Sequence, residues 1–151
     1  MNRDTQVKPI SSKLVQVGVV VNNLENAVNH LASLGLGPFK PAKPPPGAEG
    51  MFFHDKPLAA NPKGLNVDIG DTELELLQPG EGDSPWKDFL DHKGEGIQHI
   101  ALQVDNIDEV LAGLNGKGAK TLLTGKAHGR LAAAYVDLGV ANIIVELLQR
   151  Q

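Results

Sequence analysis

Four side chains of this 151-residue chain are of the kinds that bind cations, and they recur at matching places in two copies of one short module. Leu14-Val15-Gln16-Val17-Gly18-Val19-Val20-Val21 aligns with Ile97-Gln98-His99-Ile100-Ala101-Leu102-Gln103-Val104 at a constant offset of 83 positions. The correspondence runs on through Val28, Leu31 and Gly35, which fall on Leu111, Leu114 and Gly118. Later in each copy stands the same tetrapeptide, Glu75-Leu76-Leu77-Gln78 and Glu146-Leu147-Leu148-Gln149. Here the offset is 71, so the second copy has the shorter middle. Each copy therefore supplies one amide or imidazole (Gln16, His99) and one carboxylate (Glu75, Glu146). Glu146 lies inside Ile143-Ile144-Val145-Glu146-Leu147-Leu148. A carboxylate in such a run is costly to desolvate unless it is paired, protonated or bound to a metal. One imidazole nitrogen, two carboxylates and an amide oxygen form a borderline-hard donor set. It suits Zn²⁺, Co²⁺, Ni²⁺ or Mn²⁺ with positions left for water or substrate. Such a cation stabilises an enolate or enediolate beside a carbonyl, and a strand carboxylate next to it serves as a base. The chemistry implied is proton transfer at a carbon α to a carbonyl.

Those groups must be carried by elements that bring the two copies together. Leu14 to Val21 is a β-branched run and reads as a strand. Asn23 is placed to cap a helix whose Leu24, Ala27, Val28, Leu31 and Leu34 form one apolar stripe, with Gly35 and Gly37 ending it. The proline-rich stretch 40–50 is expected to be a stiff, irregular loop, followed by a short strand at Met51 to His54. Leu65 to Ile69 alternates as a half-buried strand, and Gly70-Asp71 turns it into Glu73 to Leu77. On that last strand Glu73, Glu75 and Leu77 share a face, and on the final strand Ile144, Glu146 and Leu148 do. Ser84 and Pro85 open a short linker helix to Asp91. The second copy reads as a strand at 97–104, a helix at 106–117 stopped by Gly118, and strands near 120–123, 131–137 and 142–148. Each half is thus βαβββ.

Each half is too small to bury enough apolar surface alone, so the two are expected to share one core. The expected organisation is a disordered tail at 1–12 and a single domain at 13–151. Its modules span about 13–79 and 96–150, with a linker at about 80–95. Formal net charge is −4 with no block of like charges, which argues against a nucleic-acid or anionic-membrane surface. There is no cysteine, which excludes disulfides, thiolate metal sites and thiol nucleophiles. The polar N-terminus and the lack of a long apolar run make a soluble, cytoplasmic protein the expectation.

At these residues the chain resembles the vicinal oxygen chelate, or glyoxalase/bleomycin-resistance, superfamily over about residues 14–149. The resemblance implies an α+β fold in which two βαβββ modules form a cup-shaped mixed sheet. It implies that Gln16, Glu75, His99 and Glu146 hold one divalent metal. Within the superfamily, Gly70 to Pro79, Asp83 to Leu90 and Gly94-Glu95-Gly96-Ile97-Gln98-His99 look like methylmalonyl-CoA epimerases. The departures are Val15-Gln16 where those enzymes usually have Asp-His, and Gln98-His99 where they usually have His-His. The ligand set Gln-Glu-His-Glu is itself similar to that of some glyoxalase I enzymes. The implied activity is a metal-dependent isomerase or lyase acting on a carbonyl compound, an acyl-CoA thioester in the epimerase case, with Glu146 catalytic. The second acid/base group is left open among Asp68, His54 and Glu49. Alternatives are lactoylglutathione lyase chemistry, or non-catalytic sequestration of a small molecule as in bleomycin-resistance proteins. A homodimer is implied as well.

Overall fold

The structure, a computed structural model, describes residues 8–11 and 13–149. Most of the expected disordered tail lies outside the described residues. Of the part described, Ile10 packs against the second-copy core and the Ser11 hydroxyl donates to the Gln103 carbonyl.

Among the described residues, ten strands and three helices follow in the order β1 (Leu14–Val20), α1 (Leu24–Ser33), β2 (Lys40–Pro41), β3 (Ala48–Phe53), β4 (Lys56–Pro57), β5 (Lys63–Ile69), β6 (Thr72–Gln78), α2 (Pro85–Lys93), β7 (Gly96–Val104), α3 (Ile107–Leu114), β8 (Lys120–Ala127), β9 (Arg130–Asp137) and β10 (Ile144–Gln149). The helix starts follow from capping. Asn23 and Asn106 accept from the backbone N–H three residues on, as Ser84 does ahead of Pro85. All strands join one mixed sheet, ordered β2-β5-β6-β1-β7-β10-β9-β8-β3-β4.

The seam between the copies is the antiparallel pair β1–β7. Val17 faces Ile100 there, and the same two residues correspond in the repeat. A local two-fold axis therefore passes through this pair. It carries β6, parallel to β1, onto β10, parallel to β7.

The sheet must curl. Laid flat, eight inter-strand spacings separate β2 from β3, about 38 Å. Yet residues 42–47 make that connection, with a reach of at most about 25 Å. Residues 58–62 return from β4 to β5 across an equal gap. The two edges are thus strapped towards each other and the sheet forms an open cup. This corrects the expectation for 40–50. Lys40 and Pro41 pair with β5, and β3 already begins at Ala48, so only 42–47 is irregular. Pro41 is tolerated because β2 is an edge strand that need not donate outward. The β3–β4 hairpin completes the edge of the second copy by pairing with β8.

The helices divide the faces. α1 covers the convex side over Leu65, Leu74 and Leu76, and α3 covers it over Val136, Val145 and Leu147. On the concave side, Val20, Phe53, Leu77, Leu123 and Tyr135 meet Trp86 of α2, which plugs one end of the cup. Among the described residues, no helix is long and apolar enough to cross a membrane.

Candidate metal centre

Cross-strand register puts the candidate ligands in two adjacent rows on the concave face. One row runs Asn66, Glu75, Gly18, His99, Ile144; the next runs Asp68, Glu73, Gln16, Ala101, Glu146, Tyr135. The aim of the first-strand residues depends on two β-bulges related by the local two-fold. The pairing of β1 with β7 skips Val15 on one side and Gln98 on the other, each immediately before a ligand position. An extra residue of this kind re-aims the side chain beside it. At Gln98 it puts two successive side chains, Gln98 and His99, inside the molecule at 4% and 1% exposure.

Among the described residues, one group of His, Asp and Glu side chains converges as metal ligands do. Glu75, His99 and Glu146 each offer an atom within 4.8 Å of the others. His99 Nε2 lies 3.1 Å from Glu146 Oε2 and 3.8 Å from Glu75 Oε1. These separations match ligand atoms that share a cation at about 2.0–2.2 Å.

The protonation pattern points the same way. His99 Nδ1 sits 2.9 Å from Gln98 Oε1. An amide oxygen can only accept, so Nδ1 donates to it, and Nε2 is the ring nitrogen that faces the carboxylates. Glu146 Oε2 is buried and has no hydrogen-bond partner despite the 3.1 Å approach. A cation at this point would give that buried oxygen a partner. Burial, then the Glu146 and Glu73 charges, push Glu75 up to about 8. A divalent cation supplies the charge that this cluster lacks, so the residues present fit one.

Neighbouring groups hold the imidazole in place. Tyr135 Oη is 3.5 Å from Nε2 and its ring centre is 4.8 Å from that of His99. Trp86 Nε1 donates to Tyr135 Oη at 3.2 Å. Burial first, then the Glu146 and Glu75 charges, hold the phenol well above its ordinary value, so it stays protonated. On the remaining side the ring lies over Gly18, where an added Cβ would overlap its Cε1, Nδ1 and Nε2 atoms. The glycine is required here for space. Gly18→Ala is accordingly expected to destabilise the fold by about 3 kcal/mol through overpacking and to displace the imidazole. Chemical denaturation with a parallel Co²⁺ titration checks this. A variant unchanged in both would mean that the ring has room to move.

Gln16 is 7% exposed on the same face, in the row of Glu146, at the position that the local two-fold exchanges with His99. The three residues considered for a second acid/base group stand outside the converging group. Asp68 is exposed and bound by Lys40 Nζ at 2.9 and 3.1 Å; Glu49 Oε1 accepts from Gly129 N at 2.9 Å; His54 occupies the exposed β3–β4 turn. A surface concavity of about 910 Å³ lies between the Lys8 to Ser11 segment and α3 and contains none of these residues.

Sequence reasoning missed Tyr135, Gly18 and the role of Gln98. The repeat held part of the signal, because Gly18 matches Ala101, a second small residue beside a ligand. Tyr135 is the sole tyrosine of the sequence, and its apolar surroundings there carry no sign of a site.

A model of the glyoxalase/bleomycin resistance protein/dioxygenase superfamily matches residues 15–136, and the chain belongs to that superfamily. Among named relatives it is similar to human mitochondrial methylmalonyl-CoA epimerase, 34% identical over 87 residues, 55% of this chain and 49% of that protein. The chain thus spans about half the length of the curated relative it matches. The fold is similar to that of methylmalonyl-CoA epimerase from Mycobacterium tuberculosis, with TM-score 0.67, 17% identity, and coverage of 99% of this chain and 95% of that one. It is also similar to the Streptomyces coelicolor epimerase solved with 2-nitronate-propionyl-CoA, with TM-score 0.65, 19% identity, and coverage of 93% and 98%.

Proposed function

We propose that this protein is a metal-dependent isomerase that moves a proton at the carbon α to a carbonyl, with an acyl-CoA thioester such as methylmalonyl-CoA as substrate. The observation that carries the reading is the convergence of Glu75, His99 and Glu146 within 4.8 Å on the concave face of the cup. The similarity to methylmalonyl-CoA epimerases supports the choice of substrate.

Glu75, His99 and Glu146 would hold the cation, with Gln16 contributing its amide oxygen from the two-fold-related position. When bound, a divalent cation supplies Lewis acidity that lowers the cost of negative charge on a carbonyl oxygen. His99 keeps its proton on Nδ1 through Gln98, which leaves Nε2 free for ligation. Glu146, only 13% exposed, takes and returns the substrate proton in a setting nearly free of competing water. The expected homodimer belongs to the same proposal.

The test is exchange of the α-proton of methylmalonyl-CoA in deuterated water, with stoichiometric Co²⁺ or Zn²⁺ and with excess chelator. Exchange should be rapid with metal and fall to background with chelator. Absence of exchange with every divalent metal tried would remove the epimerase reading. Elemental analysis separates a binding protein from an enzyme, since a metal-free protein with a full cup would favour sequestration.

A further inference from the structure

The Trp86 indole N–H can only donate, so the bond to Tyr135 Oη makes the phenol oxygen the acceptor. The phenol must then send its own proton away from Trp86, towards the ligand cluster. Two acceptors lie there. One is His99 Nε2, distant at 3.5 Å, whose lone pair is committed once a cation is bound. The other is the Glu146 carboxylate, directly cross-strand from Tyr135 on the concave face. Tyr135 is 3% exposed, so bulk water scarcely reaches its hydroxyl.

The first copy provides an internal contrast. The local two-fold puts Asn66 where Tyr135 stands, cross-strand from Glu75. The Asn66 amide turns its N–H to Glu73 at 3.5 Å, and its Oδ1 is left buried without a partner. The two ligand carboxylates therefore differ. One has a locked donor beside it, and the other does not.

We infer that Tyr135 is a positioning residue of this centre: its hydroxyl, oriented by the Trp86 indole, donates to the Glu146 carboxylate and fixes which carboxylate oxygen faces the cation. The inference rests on the metal reading above. A hydrogen bond to one oxygen leaves Oε2, beside His99 Nε2, as the ligating atom. Partners of this kind orient a ligand without touching the metal, and their loss typically weakens metal binding about 10- to 100-fold.

The test is titration of metal-free protein with Co²⁺ against a chromophoric competitor, while the visible d–d spectrum is recorded. Wild-type protein should bind one equivalent; failure to do so would remove the metal reading and this inference with it. Given wild-type binding, Tyr135→Phe keeps the ring but should weaken Co²⁺ affinity about 10- to 100-fold and change the d–d bands, with circular dichroism and melting preserved. Trp86→Phe leaves the hydroxyl in place but unlocked, and should weaken affinity in the same direction by a smaller factor. Wild-type affinity and an unchanged spectrum in Tyr135→Phe would overturn the inference. Should that variant fail to fold, unchanged affinity in Trp86→Phe would overturn it instead.

Discussion

Glu146→Gln is expected to reduce α-proton exchange by at least about 10³-fold and to remove stoichiometric metal. The substitution is nearly isosteric, so the packing of β10 against β7 and β9 should survive and the loss would be chemical. Two effects combine. General-base catalysis alone is worth about 10²–10⁴. The change also removes one of the two carboxylates that offset the cation's charge at His99 Nε2. Deuterium incorporation, together with metal content after gel filtration, reads both. Exchange within tenfold of wild type, with metal retained, would exclude Glu146 from both roles. Glu75→Gln should lose metal similarly while leaving Glu146 able to act as base. At saturating Co²⁺, exchange should return in Glu75→Gln but not in Glu146→Gln, which separates ligation from proton transfer.

A second large effect should appear in the metal-free protein as a function of pH. Glu75 is pushed from the ordinary 4.5 up to about 8, chiefly by burial. The folded state thus binds this proton more tightly than the unfolded chain does. Its contribution to stability is fully present below about pH 4.5 and is lost as pH rises through about 8. The loss amounts to about 5 kcal/mol at 1.36 kcal/mol per unit. Denaturant midpoints should therefore decline across that window. Glu75→Gln should flatten the decline and make the metal-free protein more stable than wild type at pH 8. Metal binding must expel the same proton, so apparent affinity should rise about tenfold per pH unit in the same range. A metal-free wild type whose stability does not fall between pH 5 and 8 would contradict the burial of an uncompensated carboxylate at this position. The ligand residues are a cost to the empty protein that the cation offsets, which is a common relation between function and stability.

The fold class and the repeat were legible in the sequence, while the pairing of individual strands was not. Gln16 and His99, and Glu75 and Glu146, stand at equivalent positions because duplication preserved their place in the chain. Val17 facing Ile100 is that repeat realised as geometry. The caps at Asn23 and Ser84 were legible because capping is a local interaction. The pairing of β3 with β8 was not, since alternation and composition say that a strand exists but not which edge it meets. Likewise, a bulge at Val15 or Gln98 leaves no mark in apolar periodicity, because it inserts a residue without changing residue type. Tyr135 escaped notice for a related reason. In Leu131-Ala132-Ala133-Ala134-Tyr135-Val136 it reads as one more core residue, and only the approach of Trp86 from the linker helix gives its hydroxyl a direction.

The pairing of the β3–β4 hairpin with β8 has a consequence for how the chain can be made and divided. During synthesis β3 can pair early only with the two-residue β4; its other neighbour, β8, follows roughly seventy residues later, where Phe53 meets Leu123. Until then the β3 edge that meets β8 stays open, and long-range pairings of this sort slow folding. Cutting the chain in the linker would therefore yield two fragments that each lack a partner strand. Mixed together, they should reassemble as complementary pieces and recover a structure that neither attains alone.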